Sequence, residues 1–231
     1  MFFFRHKTKL ADTGFFREFV DSHSHILPGV DDGIRTIEES LAVLAYFDSL
    51  GVKKVRLTPH VMNGVEHWED VLQVFDTLRK RYTGETVLEL GAEYMLDSGF
   101  GERLEKGLQP LCGDCVLVET SYFSSPNNLD ELLYDVSLAG YTPVIAHPER
   151  YLYMRYGDYC ELKDKGYLLQ LNLLSLSGYY GKQVMKNAET LLEKGMYDMV
   201  GTDLHNLETF GKWIGNVRLT DKQAREIMSL R

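Results

Sequence analysis

The fold is indicated most clearly by residues Glu18 to Thr58, EFVDSHSHILPGVDDGIRTIEESLAVLAYFDSLGVKKVRLT. This stretch contains three predicted elements: a strand over 18–25, a helix over 36–50 and a strand over 52–58. Thr36 followed by Glu39 is the pattern of a helix capping box, and Gly51 stands where a helix C-cap is expected. A strand, a helix and a strand of these lengths predict a parallel βαβ unit.

The rest of the chain repeats this alternation. Further strands are predicted over 86–94, 115–120, 142–146, 167–173 and 198–202. Further helices are predicted over 68–82, 99–106, 129–139, 157–165 and 181–193, and the remainder is predicted to be helical to Leu230. Glycines at 51, 140, 166 and 195 each close a helix shortly before a strand. Seven strands alternating with helices indicate a parallel sheet, which either closes into a barrel or stays open.

Length and composition indicate one globular domain. The 231 residues are 44% hydrophobic and 26% charged, and we find no linker, repeat or low-complexity segment. We therefore predict a single domain over 1–231, with 1–17 as a short N-terminal extension. The apolar run at Met1 to Phe4 is too short for a signal sequence, and no stretch has the length of a membrane span. The expected location is the cytoplasm.

Charge and cysteine content indicate which partners and which cysteine-based sites to expect. The net charge is −9 and no run of Lys or Arg forms a basic face, which argues against a nucleic-acid partner. Three cysteines, Cys112, Cys115 and Cys160, are too few for a disulfide framework and favour a reducing compartment. Cys112 and Cys115 form a lone C-x-x-C without further zinc ligands at suitable spacing, so we interpret them as ordinary thiols.

Residues that can bind metal stand where the predicted strands end. The set is His23, His25, His60, Glu93, Glu119, His147, Asp203 and His205, with Asp31 and Asp32 just beyond the first strand. Alternate residues of a strand face the same side, so His23 and His25 point together. Five of the seven histidines belong to this set. The carboxyl ends of parallel strands meet at one edge, and we expect these side chains to share one cavity there.

Imidazoles and carboxylates buried in one cavity require a compensating cation. Nitrogen and oxygen ligands without thiolate suit zinc, manganese or iron. Nine candidate ligands, Asp32 included, exceed the needs of one ion, so two or three ions bridged by Glu93 are expected. Such sites hold the attacking and leaving oxygens of a phosphoryl displacement and generate hydroxide at neutral pH. Arg150, three residues after His147, supplies a planar fork for two phosphate oxygens, with a surface salt bridge as the alternative role.

Other phosphatase chemistries lack their motifs. A cysteine phosphatase loop requires Arg six residues after Cys, but Val118, Ser121 and Gly166 occupy those positions. There is no D-x-D pair for an aspartyl-phosphate enzyme, and no Walker loop. Metal-assisted hydrolysis is the chemistry that remains.

Five motifs together resemble a known family. They are DSHSHILPGVDDG (21–33), TPH (58–60), GAE (91–93), IAHPER (145–150) and TDLHN (202–206). In this order they resemble the PHP (polymerase and histidinol phosphatase) superfamily, and within it the bacterial metal-dependent protein-tyrosine phosphatases of capsule and exopolysaccharide operons. The motifs span nearly the whole chain; the first is long and specific, whereas the shorter ones are weak alone.

The resemblance implies a fold and a ligand arrangement. The implied fold is a distorted (β/α)7 PHP barrel with a trinuclear site at the carboxyl ends of the strands. The implied ligand sets are His23, His25, Glu93 and Asp203 for one ion, His60, Glu93 and His147 for a second, and Asp32 and His205 for a third. Glu119 would be a ligand or a proton donor, and Arg150 would bind phosphate. Manganese is the expected metal, with iron, zinc, magnesium or cobalt as alternatives.

The resemblance also implies a substrate, phosphotyrosine on the C-terminal tail of a bacterial tyrosine kinase. Some members carry a second arginine shortly after the last motif, where this chain offers Lys212 as a substitute. Three alternatives stay open: a small-molecule phosphatase such as one acting on histidinol phosphate, a non-catalytic kinase-binding module, and a metal-dependent amide hydrolase. The expected reaction is hydrolysis of a phosphate monoester.

Overall fold

The computed structural model describes residues 7–64 and 68–230 of the chain. Residues 1–6 of the predicted extension and His67 lie outside the described residues. The strands are β1 (Thr8–Lys9), β2 (Val20–Ser24), β3 (Lys54–Leu57), β4 (His60–Val61), β5 (Val87–Leu90), β6 (Glu93–Met95), β7 (Cys115–Glu119), β8 (Thr142–Ala146), β9 (Leu168–Asn172), β10 (Met199–Gly201) and β11 (Arg218–Leu219). The α-helices are α1 (Ile37–Leu50), α2 (Trp68–Arg81), α3 (Phe100–Glu105), α4 (Leu129–Leu138), α5 (Tyr156–Asp164), α6 (Lys182–Glu193), α7 (Leu207–Ile214) and α8 (Asp221–Ser229). Short 3-10 turns cover Leu10–Thr13, Pro148–Arg150 and Leu173–Ser177.

Two parallel sheets form the centre of the molecule. One has the strand order β2-β3-β5 and the other the order β10-β9-β8-β7-β6-β4. They meet where β2 lies beside β10: Ser24 and Leu204 form a parallel bridge. Next to it, the Asp203 N–H donates to the His23 carbonyl at 2.8 Å. This curled parallel sheet, with helices in the connections, confirms the predicted parallel α/β architecture.

Two predicted strands are interrupted in the structure. The predicted strand over 86–94 is β5 followed by β6, and the chain of the strand over 52–58 continues after Pro59 as β4. Proline cannot donate to a ladder, which breaks pairing at Pro59. At Gly91 a β-carbon would lie 3.2 Å from the Thr58 side chain, so a larger residue at this bend would have to displace that side chain slightly. The two breaks move β4 and β6 out of the β2-β3-β5 sheet and into the other sheet.

The predicted helix caps are confirmed. Thr36 and Glu39 form the capping box at the start of α1. All four predicted C-cap glycines have positive φ, between 64° and 90°. That left-handed conformation is the reason for glycine at these helix ends.

The prediction of a continuous helix to Leu230 was wrong in its middle. The chain leaves α7 at Gly215, forms β11 and begins α8 after Thr220, which caps α8 together with Gln223. β11 pairs antiparallel with β1, which lies in the predicted N-terminal extension. Leu10 and Phe15 of that extension are fully buried, so its described part packs into the core.

The cysteines and the apolar character of the helices can be compared with the predictions. All three cysteines are free and partly exposed, and Cys112 and Cys115 face each other across the turn before β7. This agrees with the interpretation as ordinary thiols. Over residues 7–64 and 68–230, no helix combines the length and apolar character needed to span a bilayer.

Candidate metal centre

The predicted strand-end residues converge at the carboxyl edge of the sheets. They line or lie beside a cavity of about 480 Å³. Its described walls include Asp32, His60, Glu93, Glu119, His147, Arg150, Asp203 and His205. His147 follows β8 and Asp203 follows β10, both with positive φ, 34° and 50°. Non-glycine residues in this conformation are strained, and such strain is concentrated at functional sites.

Four ligand atoms form an innermost group behind this cavity. The Nε2 atoms of His23 and His25 are 3.0 Å apart. Glu93 Oε2 lies 3.1 Å from the first and 3.3 Å from the second. Asp203 Oδ1 lies 3.5 and 3.4 Å from the same two nitrogens. Metal–ligand bonds of about 2.1 Å place ligand atoms roughly 3.0–3.4 Å apart, so these spacings suit one ion.

Neighbouring side chains fix which imidazole nitrogens are free. Gln170 Oε1 accepts from Nδ1 of His23 at 2.8 Å, while its amide nitrogen donates to Ser22. Asp31 Oδ2 accepts from Nδ1 of His25 at 2.7 Å. With both Nδ1 atoms carrying hydrogen, two neutral rings would direct their Nε2 lone pairs at each other. Either a proton on one Nε2 or a metal ion between the two relieves this repulsion. Hydrogen bonds at Nδ1 are the support that metal-bound histidines receive.

A second group surrounds the other side of Glu93. His60 Nδ1 lies 3.1 Å from Glu93 Oε2 and 3.0 Å from Glu119 Oε1. His147 Nε2 lies 3.1 Å from Glu93 Oε1. The first three of these atoms are buried without a hydrogen bond of good geometry to the described residues. Buried polar atoms in this state point to an absent cation.

A third group lies nearest the solvent. Asp32 Oδ1 is 3.5 Å from His60 Nε2 and 3.4 Å from His205 Nε2. The Asp32 side chain is 74% exposed, whereas His205 is 31% exposed. Together with His25, these residues form one of the His/Asp/Glu groups compact enough to hold an ion. The predicted residues therefore fit a centre with more than one metal position.

Electrostatics in the metal-free protein reflect this crowding. Burial would raise the pKa of Glu93, but the charge of His23 and the contact with His147 hold it well below its usual range. Burial likewise opposes ionisation of Asp203, yet His23 and His25 keep its pKa well below normal. Burial and the charge of His25 lower the pKa of His205. The carboxylates therefore stay ionised and depend on positive charge from protonated histidines or from metal ions.

Metal binding is expected to release protons. Burial lowers the pKa of His60, but Glu119 and Glu93 outweigh it and raise the pKa to about 10. Burial also opposes protonation of His25, but hydrogen bonds to Asp203 and Asp31 raise its pKa well above the normal value. A divalent ion needs the nitrogen lone pair, so near pH 7 it must displace these protons. Calorimetric titration with Mn²⁺ in two buffers of different ionisation enthalpy should therefore give different heats.

The stability of the metal-free protein and its affinity for metal should change with pH in opposite directions. The pKa of His60 is raised from 6.5 to about 10. Protonation of His60 therefore contributes fully to the stability of the metal-free protein below pH 6.5, and this contribution is lost as the pH rises toward 10. Metal affinity should rise over the same interval. Buffer-independent heats together with an unchanged Mn²⁺ affinity across it would contradict the assignment of His60 as a ligand.

Arg150 and Lys212 differ in position. Arg150 lies in the 3-10 turn after β8 and donates from Nη1 to Asp203 Oδ2 at 3.0 Å. This is its one hydrogen bond to described residues, so Nε–H and Nη2–H remain available at the cavity. Lys212 is exposed on α7, and among the described cavity-lining residues it does not occur. The structure thus brings together every predicted site residue except Lys212.

Several supporting residues were not predicted from the sequence. Gln170 and Asn172 lie two residues apart at the end of β9, and Asn172 Nδ2 donates to Asp203 Oδ2 at 2.7 Å. Two polar residues at alternate positions of an otherwise apolar strand were the available signal. Asp31, next to the predicted ligand Asp32, supports the centre by accepting from Nδ1 of His25. Burial opposes its ionisation, yet the bond from His25 lowers its pKa to about 2.

The fold and the cluster define a class: an α/β protein with a candidate metal centre at the carboxyl edge of a curled parallel sheet. Residues 19–213 match the family described as capsular polysaccharide synthesis, CpsB/CapC. The chain belongs to this family. The capsule-type membership that the motifs predicted is thereby confirmed.

Sequence relatives with curated names agree with this family membership. The chain is 34% identical over 207 residues to tyrosine-protein phosphatase CpsB of Streptococcus pneumoniae, covering 82% of this chain and 84% of the relative. It is 32% identical over 199 residues to tyrosine-protein phosphatase YwqE of Bacillus subtilis, covering 82% and 78%. A solved structure from work on YwqE and CpsB, described as unique metal-dependent tyrosine phosphatases, matches with a TM-score of 0.76. That match has 28% identity and covers 92% of this chain and 85% of the other.

Proposed function

We propose that this protein is a metal-dependent phosphomonoesterase that hydrolyses phosphotyrosine in proteins. The observation that carries the proposal is the juxtaposition of three ligand groups, two of which share Glu93, with Arg150. Arg150 lines the same cavity, and its Nε–H and Nη2–H make no hydrogen bond to the described residues. A cation cluster and a bidentate donor in one cavity together suit a bound phosphate. The names of the curated relatives support the same activity.

The proposed centre holds two or three divalent ions, with manganese as the expected metal. Its ligands are those of the three groups, with Glu119 in the second. Bound ions would supply Lewis acidity and lower the pKa of a coordinated water. A distorted seven-stranded barrel is the proposed frame, supported by the bridge between β2 and β10 and by the continuation of β3 into β4 and of β5 into β6.

The side chains of this chain would perform separate tasks. Arg150 binds two phosphate oxygens and offsets the charge that develops on them in the transition state. Glu119 would act either as a ligand of the second group or as the proton donor to the leaving oxygen. Its Oε1 atom is buried beside His60, and its Oε2 atom accepts from Tyr122. A tyrosinate leaving group needs little assistance because the pKa of phenol is about 10.

The proposed substrate is phosphotyrosine on the tail of a bacterial tyrosine kinase of capsule synthesis, which would place the enzyme in the cytoplasm. Its support is the family description and the relatives' names. The connections between elements are short over the described residues, which suits a protein tail better than an enclosed small molecule. Histidinol phosphate is the alternative substrate.

The test compares two substrates in one assay. Metal-free protein, refilled with Mn²⁺, is given a phosphotyrosine peptide and histidinol phosphate. We expect no turnover without metal and, with it, turnover of the peptide well above that of histidinol phosphate. The reverse preference would agree with phosphomonoester hydrolysis but would contradict phosphotyrosine as the substrate. Absence of turnover of both would overturn the proposed function.

A further inference from the structure

Two tyrosine rings pack against the guanidinium group of Arg150. The Arg150 Cζ atom lies 4.1 Å from the centre of the Tyr122 ring. It lies 4.2 Å from the centre of the Tyr180 ring. Both distances are well inside the range in which a cation is attracted to an aromatic face.

The strand order explains how the two rings reach one arginine. Tyr122 follows β7, Arg150 follows β8 and Tyr180 follows β9, and these three strands are neighbours in the sheet. Arg150 therefore projects from the middle strand, with one tyrosine arriving from each side. We call Tyr122 and Tyr180 the tyrosine clamp.

The hydroxyl groups of the clamp reach carboxylates of the metal centre. Tyr122 OH donates to Glu119 Oε2 at 3.3 Å. Tyr180 OH lies 3.5 Å from Asp203 Oδ2 and accepts from Asn172 at 3.2 Å. Each ring is thus fixed at its outer end while its face contacts Arg150. This arrangement holds the guanidinium group in position.

The clamp leaves one edge of Arg150 for a ligand. Nη1 is engaged with Asp203, the two rings contact the group at Cζ, and Nε–H with Nη2–H form the edge that makes no hydrogen bond to the described residues. Those two donors are parallel and match two oxygens of a phosphate. An arginine already fixed in this orientation loses little conformational freedom when the phosphate binds.

We propose that Tyr122 and Tyr180 are positioning residues that hold Arg150 ready for phosphate, through their ring faces rather than their hydroxyl groups. The inference rests on the proposed function for the substrate but concerns phosphate binding itself. It assigns a role to two residues that none of the five sequence motifs contains.

The experiment measures inorganic phosphate binding to the Mn²⁺-loaded protein by calorimetry, and kcat and KM for the phosphotyrosine peptide. Tyr122→Leu and Tyr180→Leu should each weaken phosphate binding on the order of tenfold and raise KM, because each removes one cation–π contact. Tyr122→Phe and Tyr180→Phe keep the ring and should stay within about threefold. Tyr134→Leu, an exposed change on α4, is the control and should have no effect. Metal content should be equal in all variants.

A double-mutant cycle decides whether the rings act through Arg150. In an Arg150→Met background, Tyr122→Leu should cause no further loss of phosphate affinity. An additive loss would overturn the inference, as would Phe variants as weak as the Leu variants or Leu variants that bind normally. Should Tyr180→Leu fail to fold, Tyr122→Leu, whose residue is 38% exposed, carries the test. Because phosphate binding is measured without turnover, an inactive wild-type enzyme would refute the proposed function and leave the clamp testable.

Discussion

Replacement of Glu93 by glutamine should reduce turnover of a phosphotyrosine peptide by at least on the order of 10³-fold, because the change affects two proposed ions at once. Glu93 Oε2 lies within 3.3 Å of His23, His25 and His60, and Oε1 lies 3.1 Å from His147. A neutral amide cannot bridge cations with both of its terminal atoms. Metal content by elemental analysis should fall together with kcat.

The matched control is Glu149→Gln. Glu149 is equally buried, and it accepts from the Asn172 N–H and the Tyr197 hydroxyl rather than from cluster histidines. Burial raises the pKa of Glu149. A glutamine can still accept from the Asn172 N–H while its amide nitrogen donates to the Tyr197 hydroxyl, since a hydroxyl both donates and accepts. This variant should keep its metal and its activity. Full turnover by Glu93→Gln, or equal losses in the two variants, would show that Glu93 is not a bridging ligand.

Replacement of Arg150 by methionine should lower kcat/KM for the same peptide roughly 10²- to 10³-fold, the effect of removing a charged donor from a developing anion. Both KM and kcat should change, since the free Nε–H and Nη2–H edge contacts the phosphate before and during the reaction. Methionine keeps most of the apolar stem between Tyr122 and Tyr180. Arg150→Lys should recover little, because a point charge lacks the planar fork.

Arg155→Met serves as the control for charge. Arg155 is exposed just before α5, only five residues from Arg150, and its loss should leave kcat/KM unchanged. Metal content should be normal in both arginine variants, because neither residue is a proposed ligand. An unaltered kcat/KM in the Arg150→Met enzyme would show that Arg150 does not bind the phosphate.

The alternation of elements and the location of the centre could be predicted from the sequence. Apolar periodicity and glycine caps are local signals, and strands as short as β8 were predicted at their observed bounds, Thr142–Ala146. Most residues of the candidate centre could be predicted because they stand at or just after the ends of the predicted strands, and parallel strands place those ends together. In the structure His60 and Glu93 are instead the first residues of β4 and β6. The middle of the C-terminal segment could not be predicted, since β11 exists through its pairing with β1, about two hundred residues earlier.

Residue types and their spacing along the chain were enough to predict the parallel α/β class, the family and the residues of the candidate centre. Only the folded structure shows how those residues divide around Glu93, which nitrogens of His23 and His25 are free, and which rings contact Arg150. Those features depend on contacts such as that of Gln170 with His23, 147 residues apart in the chain. No local pattern encodes such contacts, because they form only when the curled sheet brings the ends of separate strands within hydrogen-bonding distance.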